Sequence, residues 1–323
     1  MRPSRTTLIV GATGFIGRHL AKYLAAKGEK VVGTYHRPVR RRQPTKFVQL
    51  VHCDVTKRSD LQRVLRQFEP RHIYFLAAQS SVREAWFDPI QTIEVNLMGG
   101  VYLLEALRRA DLKARVLIFS SGTTYGLSHD AGRILREDAS LRPKDPYSVS
   151  KMGLDVLAQL YAKIYGLHTV VVRLPNLIGP EQATTFSLSN FAYQIAGIEA
   201  GRLPGVIRVG NLKAERDYLD IRDGVRALHL AMRRGRRGEV YNIASGRSRR
   251  LGDVLDQLIA LSRLEKQDIR IVEKKSIMSK DEILSVKLNP SKFRRLTGWR
   301  PCVPFRETLR DILASWRRKW YET

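Results

Sequence analysis

Tyr147 and Lys151 stand four residues apart behind Lys144-Asp145-Pro146, heading a stretch whose leucines recur at 154, 157 and 160. Proline suits the first turn of a helix, which puts the phenol and the ammonium one turn apart on one face. A cation that close, with the positive end of the helix, favours phenolate and predicts a Tyr147 pKa lowered toward working pH. Such a tyrosine can give or take a proton. The spacing alone is common on surface helices, so it needs a partner. Phe119-Ser120-Ser121-Gly122-Thr123-Thr124-Tyr125-Gly126 supplies one: a hydroxyl that follows an apolar run and can hold a substrate oxygen while Tyr147 exchanges its proton.

A second chemistry-bearing stretch is Gly11-Ala12-Thr13-Gly14-Phe15-Ile16-Gly17, between the β-branched run Thr7-Leu8-Ile9-Val10 and a helix-like Arg18-His19-Leu20-Ala21. Glycines at a strand-to-helix turn let the backbone approach a pyrophosphate, and the helix amino terminus offers it free N–H groups. After the second apolar run an NAD site usually places Asp or Glu on the ribose 2′-hydroxyl; here Thr34-Tyr35-His36-Arg37 carries no carboxylate. His36 and Arg37 suit a 2′-phosphate, so NADP(H) is favoured over NAD(H), which stays possible. Arg37 alternatively belongs to the solvated basic loop of Arg40, Arg41 and Arg42. Asp54, after the third run, can accept the adenine amino group or cap a helix beginning near Ser59.

Six runs must position these residues: those at 7–10, 30–33, 47–50, 72–76, 115–119 and 169–172. They alternate with amphipathic stretches, the pattern of strand, crossover helix and parallel strand, and their unbroken apolarity fits strands covered on both faces. The expected fold is α/β, a Rossmann-type doubly wound parallel sheet over residues 1–174, with about 215–240 returning to it. Residues 175–323 mainly form a smaller α/β substrate-binding lobe, interleaved with the first domain. Helical stretches are expected there near 186–200, 221–234, 251–264 and 305–320.

With 323 residues, 43% of them hydrophobic, the chain can build a proper core, which excludes disordered and mini-scaffold classes. Lys and Arg number 57 against 31 Asp and Glu, a formal charge of +26 that draws anions without naming one. Two cysteines, Cys53 and Cys302, exclude a disulfide framework and a thiolate metal site. No apolar run reaches the roughly 20 residues of a membrane span. A reducing cytoplasmic location, with no membrane contact, is expected.

Together these residues resemble the extended short-chain dehydrogenases/reductases, in particular the nucleotide-sugar epimerase/dehydratase group and its GDP-mannose branch. The resemblance runs through the glycine loop, Leu76-Ala77-Ala78-Gln79-Ser80-Ser81-Val82, Asn96, Ser121, Tyr147 with Lys151, Arg173-Leu174-Pro175-Asn176, Val209-Gly210-Asn211-Leu212, Arg216-Asp217-Tyr218 and Thr297-Gly298-Trp299-Arg300-Pro301. It implies that Tyr147 is the acid/base at the sugar O4, that Lys151 binds the nicotinamide ribose and that Ser121 holds the 4-oxygen. Gly11, Thr13, Gly14, Phe15, Ile16 and Gly17, with His36, Arg37, Asp54, Val55, Leu76, Ala77, Ala78 and Asn96, would form the cofactor cradle. Ser80, Ser81, Asn176, Val209, Arg216 and Glu282 would meet the nucleotide sugar. Asn176 is alternatively a turn residue, and Arg216 a partner of Asp220 or Asp223.

Two departures bear on the reaction. Dehydratases of the group place Glu two residues before the Tyr-Gly pair, where this chain has Thr123 after Gly122; neither is a base at neutral pH, which disfavours water elimination. Where the group has an Arg on the diphosphate, this chain reads Ser279, leaving Lys280 as a less directional cation beside Glu282. The resemblance therefore implies NADPH-dependent reduction of a 4-keto, 6-deoxyhexose on a nucleotide, favouring GDP-4-dehydro-6-deoxy-D-mannose going to GDP-D-rhamnose. A 4-epimerase with tightly held NAD is the alternative enzyme. A nucleic-acid-associated protein on this scaffold is the alternative from the charge. A homodimer is implied, built from helices around Gln91 to Arg109 and Tyr147 to Tyr165, to which Leu97, Val101, Leu154 and Leu157 contribute where they do not face their own sheet.

Overall fold

The computed structural model describes residues 6–37, 48–126, 134–274 and 285–322. Each expected run contributes a strand: β1 (Thr6–Val10), β2 (Lys30–Tyr35), β3 (Val48–His52), β4 (His72–Phe75), β5 (Arg115–Ser121) and β6 (His168–Leu174). A seventh, β7 (Val240–Asn242), is shorter than any run that periodicity picks out, and it forms by pairing with β6. All seven are parallel in the order β7-β6-β5-β4-β1-β2-β3. This is the doubly wound Rossmann-type sheet, and its order reverses between β1 and β4, where such sheets open a crevice for ligands.

Helices of ten or more residues are α1 (Phe15–Ala26), α2 (Arg58–Phe68), α3 (Gly99–Arg109), α4 (Pro146–Tyr165), α5 (Ser187–Glu199), α6 (Ile221–Arg234), α7 (Leu251–Ala260) and α8 (Phe305–Tyr321). The strand period of two splits the apolar runs between two cores. Leu8, Val10, Val116 and Ile118 face α2, α3 and α4, while Ile9, Leu117, Phe119 and Val172 face α1 and α6. Both faces are dry, as the unbroken runs require. A third core belongs to the lobe, where Leu188, Phe191 and Ile195 of α5 meet Leu255 and Leu258 of α7 and Ile312 of α8. The chain then returns to the main sheet: Phe293 and the fully buried Trp299 join the α1 and α6 side.

One buried ion pair ties these layers together. Arg173, near the end of β6, donates from Nε to Asp155 Oδ2 of α4 at 2.8 Å and from one Nη to Asp155 Oδ1 at 3.3 Å. Its other Nη donates to the Tyr125 hydroxyl at 2.8 Å and the Glu137 carbonyl at 3.0 Å. Tyr125 passes its own proton to Asn242 Oδ1 of β7 at 2.9 Å. Both charges are shielded from water, so removing one strands the other. Asp155→Ala should lower stability by about 3 to 5 kcal/mol, read from urea unfolding midpoints. Arg173→Met with Asp155→Leu should recover much of that loss; equal midpoints for wild type and Asp155→Ala would contradict the pairing.

Candidate active site

The glycine turn sits at the carboxyl end of β1. Gly11 has φ +91°, and a Cβ there would lie 2.8 Å from the Ala77 amide nitrogen. A Cβ on Gly17 would come within 2.3 Å of the Gly11 carbonyl oxygen, so α1 is pressed against the turn. Gly14 precedes α1 with no side-chain cap, which leaves the first N–H groups of Phe15 and Ile16 directed at the crevice. Thr34, at the end of β2, accepts the Gly11 amide on its hydroxyl at 3.0 Å, and its carbonyl accepts the Ala12 amide at 2.9 Å. This clamp is invisible in a local pattern, since it joins residues 23 apart. The cradle Gly11, Thr13, Gly14, Phe15, Ile16, Gly17, Leu76, Ala77 and Ala78 thus fits a dinucleotide pyrophosphate.

His36 and Arg37 are exposed at the end of β2, beside the carboxyl end of β3. Asp54 lies 3.9 Å from His36 Nδ1. Burial works to raise the Asp54 pKa, but hydrogen bonds from the hydroxyl and amide of Thr56, with His36 nearby, bring it below the ordinary carboxylate range. The helix-capping alternative for Asp54 is not realised: α2 starts at Arg58 after Lys57, and the carboxylate closes a turn onto Thr56 instead. Val55 is buried under Gly99. Arg40, Arg41 and Arg42 lie outside the described residues.

The catalytic candidates meet at the ends of β5 and α4. Asp145 caps α4 by accepting the Ser148 amide at 2.8 Å, with Pro146 in the first turn, as the sequence implies. Tyr147 hydrogen-bonds Ser121. Lys151 is buried, its ammonium donating to the Phe119 carbonyl at 3.1 Å and lying 5.9 Å from the Tyr147 ring centre. The expected lowering of the Tyr147 pKa is corrected: burial pushes the phenol up to about 12, the Ser121 hydrogen bond opposes that only in part, and Asp145 adds to the rise. Desolvation outweighs the helix end, and Lys151 directs its charge to a carbonyl rather than to the phenol oxygen.

Ser121 Oγ accepts the Thr123 amide at 3.2 Å and the Thr123 hydroxyl at 2.9 Å. A hydroxyl has two acceptor lone pairs and one proton, so Ser121 is left to donate. The proton points to whatever oxygen faces it, the phenol or a substrate carbonyl. Thr123 carries this orientation, a role that sequence reasoning assigned only negatively, as a missing carboxylate.

The remaining candidates divide. Asn96 is fully buried in a π-helical turn (Glu94–Met98) and bonds the backbone of Gln79 at 2.8 and 2.9 Å and Ser150 Oγ at 3.0 Å. It therefore sits behind the cleft wall and positions the Gln79 loop against α4, rather than touching a cofactor. Ser80 is exposed on that loop, and Ser81 caps a short helix by accepting the Glu84 amide. Asn176 is exposed where the lobe strand Asn176–Ile178 begins. Arg216 is on the neighbouring strand Glu215–Asp220, where one Nη donates to the Glu215 carbonyl at 2.8 Å, while Asp220 and Asp223 hold Arg222 and Arg226. Val209 has its side chain in the lobe core, so only its backbone can face a ligand. Glu282, Ser279 and Lys280 lie outside the described residues.

The chain has counterparts among known proteins. The family described as GDP-mannose 4,6 dehydratase matches residues 8–312. The chain is 30% identical over 312 residues to the GDP-6-deoxy-D-mannose reductase of Pseudomonas aeruginosa, covering 96% of this chain and 97% of that one. The solved structure of RMD from Pseudomonas aeruginosa complexed with NADPH is similar with a TM-score of 0.84 and 29% identity, over 98% and 100% of the two chains. A Thermus thermophilus UDP-glucose 4-epimerase in complex with NAD is similar with a TM-score of 0.85 and 28% identity, over 97% and 99%. With the family model matching residues 8–312 and these relatives covering nearly the whole length, the chain belongs to the GDP-mannose 4,6-dehydratase family of extended short-chain dehydrogenases/reductases.

Proposed function

We propose that this chain is an NADPH-dependent reductase of the 4-keto group of a GDP-linked 6-deoxyhexose, converting GDP-4-dehydro-6-deoxy-D-mannose to GDP-D-rhamnose. The observation that carries the reading is the hydroxyl pair at Ser121 and Thr123. Elimination of water across the sugar needs a base besides the acid/base tyrosine, and Thr123 fills that place with a hydroxyl already bonded to Ser121. Reduction needs no second base. The cradle at Gly11 to Gly17, with His36 and Arg37, would hold NADPH, which would supply the hydride.

The remaining work falls to the chain. Ser121 donates to the carbonyl oxygen and polarises it. Tyr147, pushed up to about 12 and so protonated at neutral pH, gives its proton to the oxygen as negative charge develops there. An alkoxide is a stronger base than a phenolate, so transfer from even a weak phenol runs downhill. Lys151 stands behind the tyrosine, its ammonium on the Phe119 carbonyl, where it would meet the nicotinamide ribose. Arg216, on the lobe strand, meets the diphosphate. The work divides accordingly, the Rossmann-type domain binding cofactor and the lobe binding sugar nucleotide. The similar Pseudomonas aeruginosa proteins, one named as this reductase and one solved with NADPH, support the reading.

The helix that carries Tyr147 also carries an outward apolar stripe of Val149, Val156, Leu160 and Ile164, flanked by Trp86, Phe87 and Ile90. Exposed apolar residues at helical spacing mark an interface, and a homodimer through α4 accounts for them. Leu154 faces its own sheet, as the apolar recurrence leaves open. No helix among the described residues is long and apolar enough to cross a membrane.

Purified protein mixed with NADPH and GDP-4-dehydro-6-deoxy-D-mannose should oxidise one cofactor per sugar reduced; NAD that copurifies and shows no net oxidation would instead establish the epimerase. Tyr147→Phe should cut turnover by about 10²- to 10⁴-fold with NADPH affinity nearly unchanged, and full activity in that variant would refute the mechanism. Leu160→Glu with Ile164→Glu should convert dimer to monomer in sedimentation equilibrium.

Lys151 gives a stability test with a definite sign. Burial holds its ammonium down to about 8 from the usual 10.5, so below pH 8 the folded chain bears a poorly solvated charge, worth on the order of 3 kcal/mol. The unfolded chain binds that proton more tightly, so stability rises with pH from about 8 to 10.5. Lys151→Met should be the more stable protein at pH 7, with the gap closing above pH 10.5. A gap independent of pH would mean that the ammonium is not desolvated.

A further inference from the structure

A separate cavity of about 480 Å³ lies between residues 245–249, which lead into the strand Ser248–Arg250, residues 300–305, which lead into α8, and the start of α6. None of the residues assigned above to cofactor or substrate lines it. Four guanidinium groups do: Arg247, Arg249, Arg294 and Arg300. Arg249 lies 4.1 Å over the ring of Phe305, which forms part of the same wall. Arg294 donates to the Ser245 carbonyl at 3.0 Å, and its Nε is buried without a partner among the described residues. None of the four makes an ion pair among those residues.

The carboxylates nearby are bound to the walls. Asp217 accepts the amides of Ser245 at 3.2 Å and Gly246 at 2.8 Å. Asp220 accepts from Arg222 at 2.9 Å and from Thr308 Oγ1 at 2.7 Å. Asp223 accepts the amides of Cys302 and Val303 at 2.9 Å and pairs with Arg226 at 2.6 Å. Arg222 bridges Asp220, Glu307 and Asp311, and Arg226 holds Asp223, so these carboxylates are committed to other cations, and Asp217, its oxygens on backbone amides, is the carboxylate acting on Arg249 and Arg294. Their mutual repulsion is visible: burial first, then Arg300, lowers the Arg294 pKa, and burial and Arg247 lower that of Arg249.

We infer that this cavity is a second ligand site, for a small molecule bearing a diphosphate group. Planar guanidinium forks match phosphate oxygens two at a time, and a multiply charged anion relieves repulsion that one carboxylate does not. A solvated basic face would spread its arginines over a convex surface. Here they converge on a concave space of a size that holds a small molecule, not a nucleic-acid backbone.

Titration calorimetry with inorganic pyrophosphate tests this, on protein without added nucleotide, since NADPH and GDP each carry the diphosphate that this cavity would itself take. One pyrophosphate per chain should bind in this cavity at about 0.15 M salt, beyond any held at the cofactor and nucleotide sites. Arg247→Ala with Arg300→Ala should weaken it about tenfold or more. Both side chains are exposed and lack ion pairs among the described residues, so thermal unfolding should be unchanged. Arg66→Ala with Arg318→Ala removes equal charge from exposed positions elsewhere and should leave binding intact. Equal weakening in both double variants, or no saturable binding in the parent, would overturn the proposal as bulk charge attraction. Because the rim variants tie the signal to this cavity, the outcome is independent of whether the reductase reading holds. A nucleoside diphosphate in the same titration identifies the source: tighter variant-sensitive binding than pyrophosphate marks a diphosphate ester, and weaker binding marks free pyrophosphate.

Discussion

The arrangement of the cleft depends on a charge that never reaches it. Arg173 is a guanidinium inside a parallel sheet, tolerable only when its donors are met. Asp155 comes from the helix that carries Tyr147 and Lys151, and Tyr125 from the turn that follows Ser121. Satisfying one buried cation therefore brings β5, β6 and α4 into register, with β7 joined through Asn242. The geometry of the hydroxyl, phenol and ammonium is set from behind.

In front of that frame, each polar group has a direction. Thr123 occupies the lone pairs of Ser121 so that its proton faces outward, Asn96 holds the Gln79 loop against Ser150, and Thr34 fixes the glycine turn. A phenol held protonated beside a hydroxyl that can only donate makes two donors aimed at one region. That polarity suits an oxygen gaining negative charge, which is the demand of carbonyl reduction.

Much of this was legible in the sequence where the signal is local. Unbroken β-branched runs named six strands, and the four helices expected beyond residue 175 lie within a few residues of their expected spans. Pro146 and the interval from Tyr147 to Lys151 foretold one helix turn. What escaped depends on residues far apart in the chain. The sign of the Tyr147 pKa shift follows from how deeply tertiary packing buries the phenol, and β7 exists only because β6 offers an edge. Arg173 could be quoted as part of a motif, but its partners are 18 and 48 residues away and nothing in the pattern names them.

Helix α4 has almost no idle surface. One side packs on the sheet through Leu154 and Ala158, another presents Tyr147 and Lys151, and a third turns Val149, Val156, Leu160 and Ile164 outward. Twenty residues thus answer to folding, chemistry and association at once, and a substitution that suits one demand tends to offend another. The lobe, with its own core, is released from that conflict. Substitutions in the lobe can be absorbed by that core without moving α4, so a chain built this way can reshape what its lobe presents long before it disturbs the geometry around Tyr147.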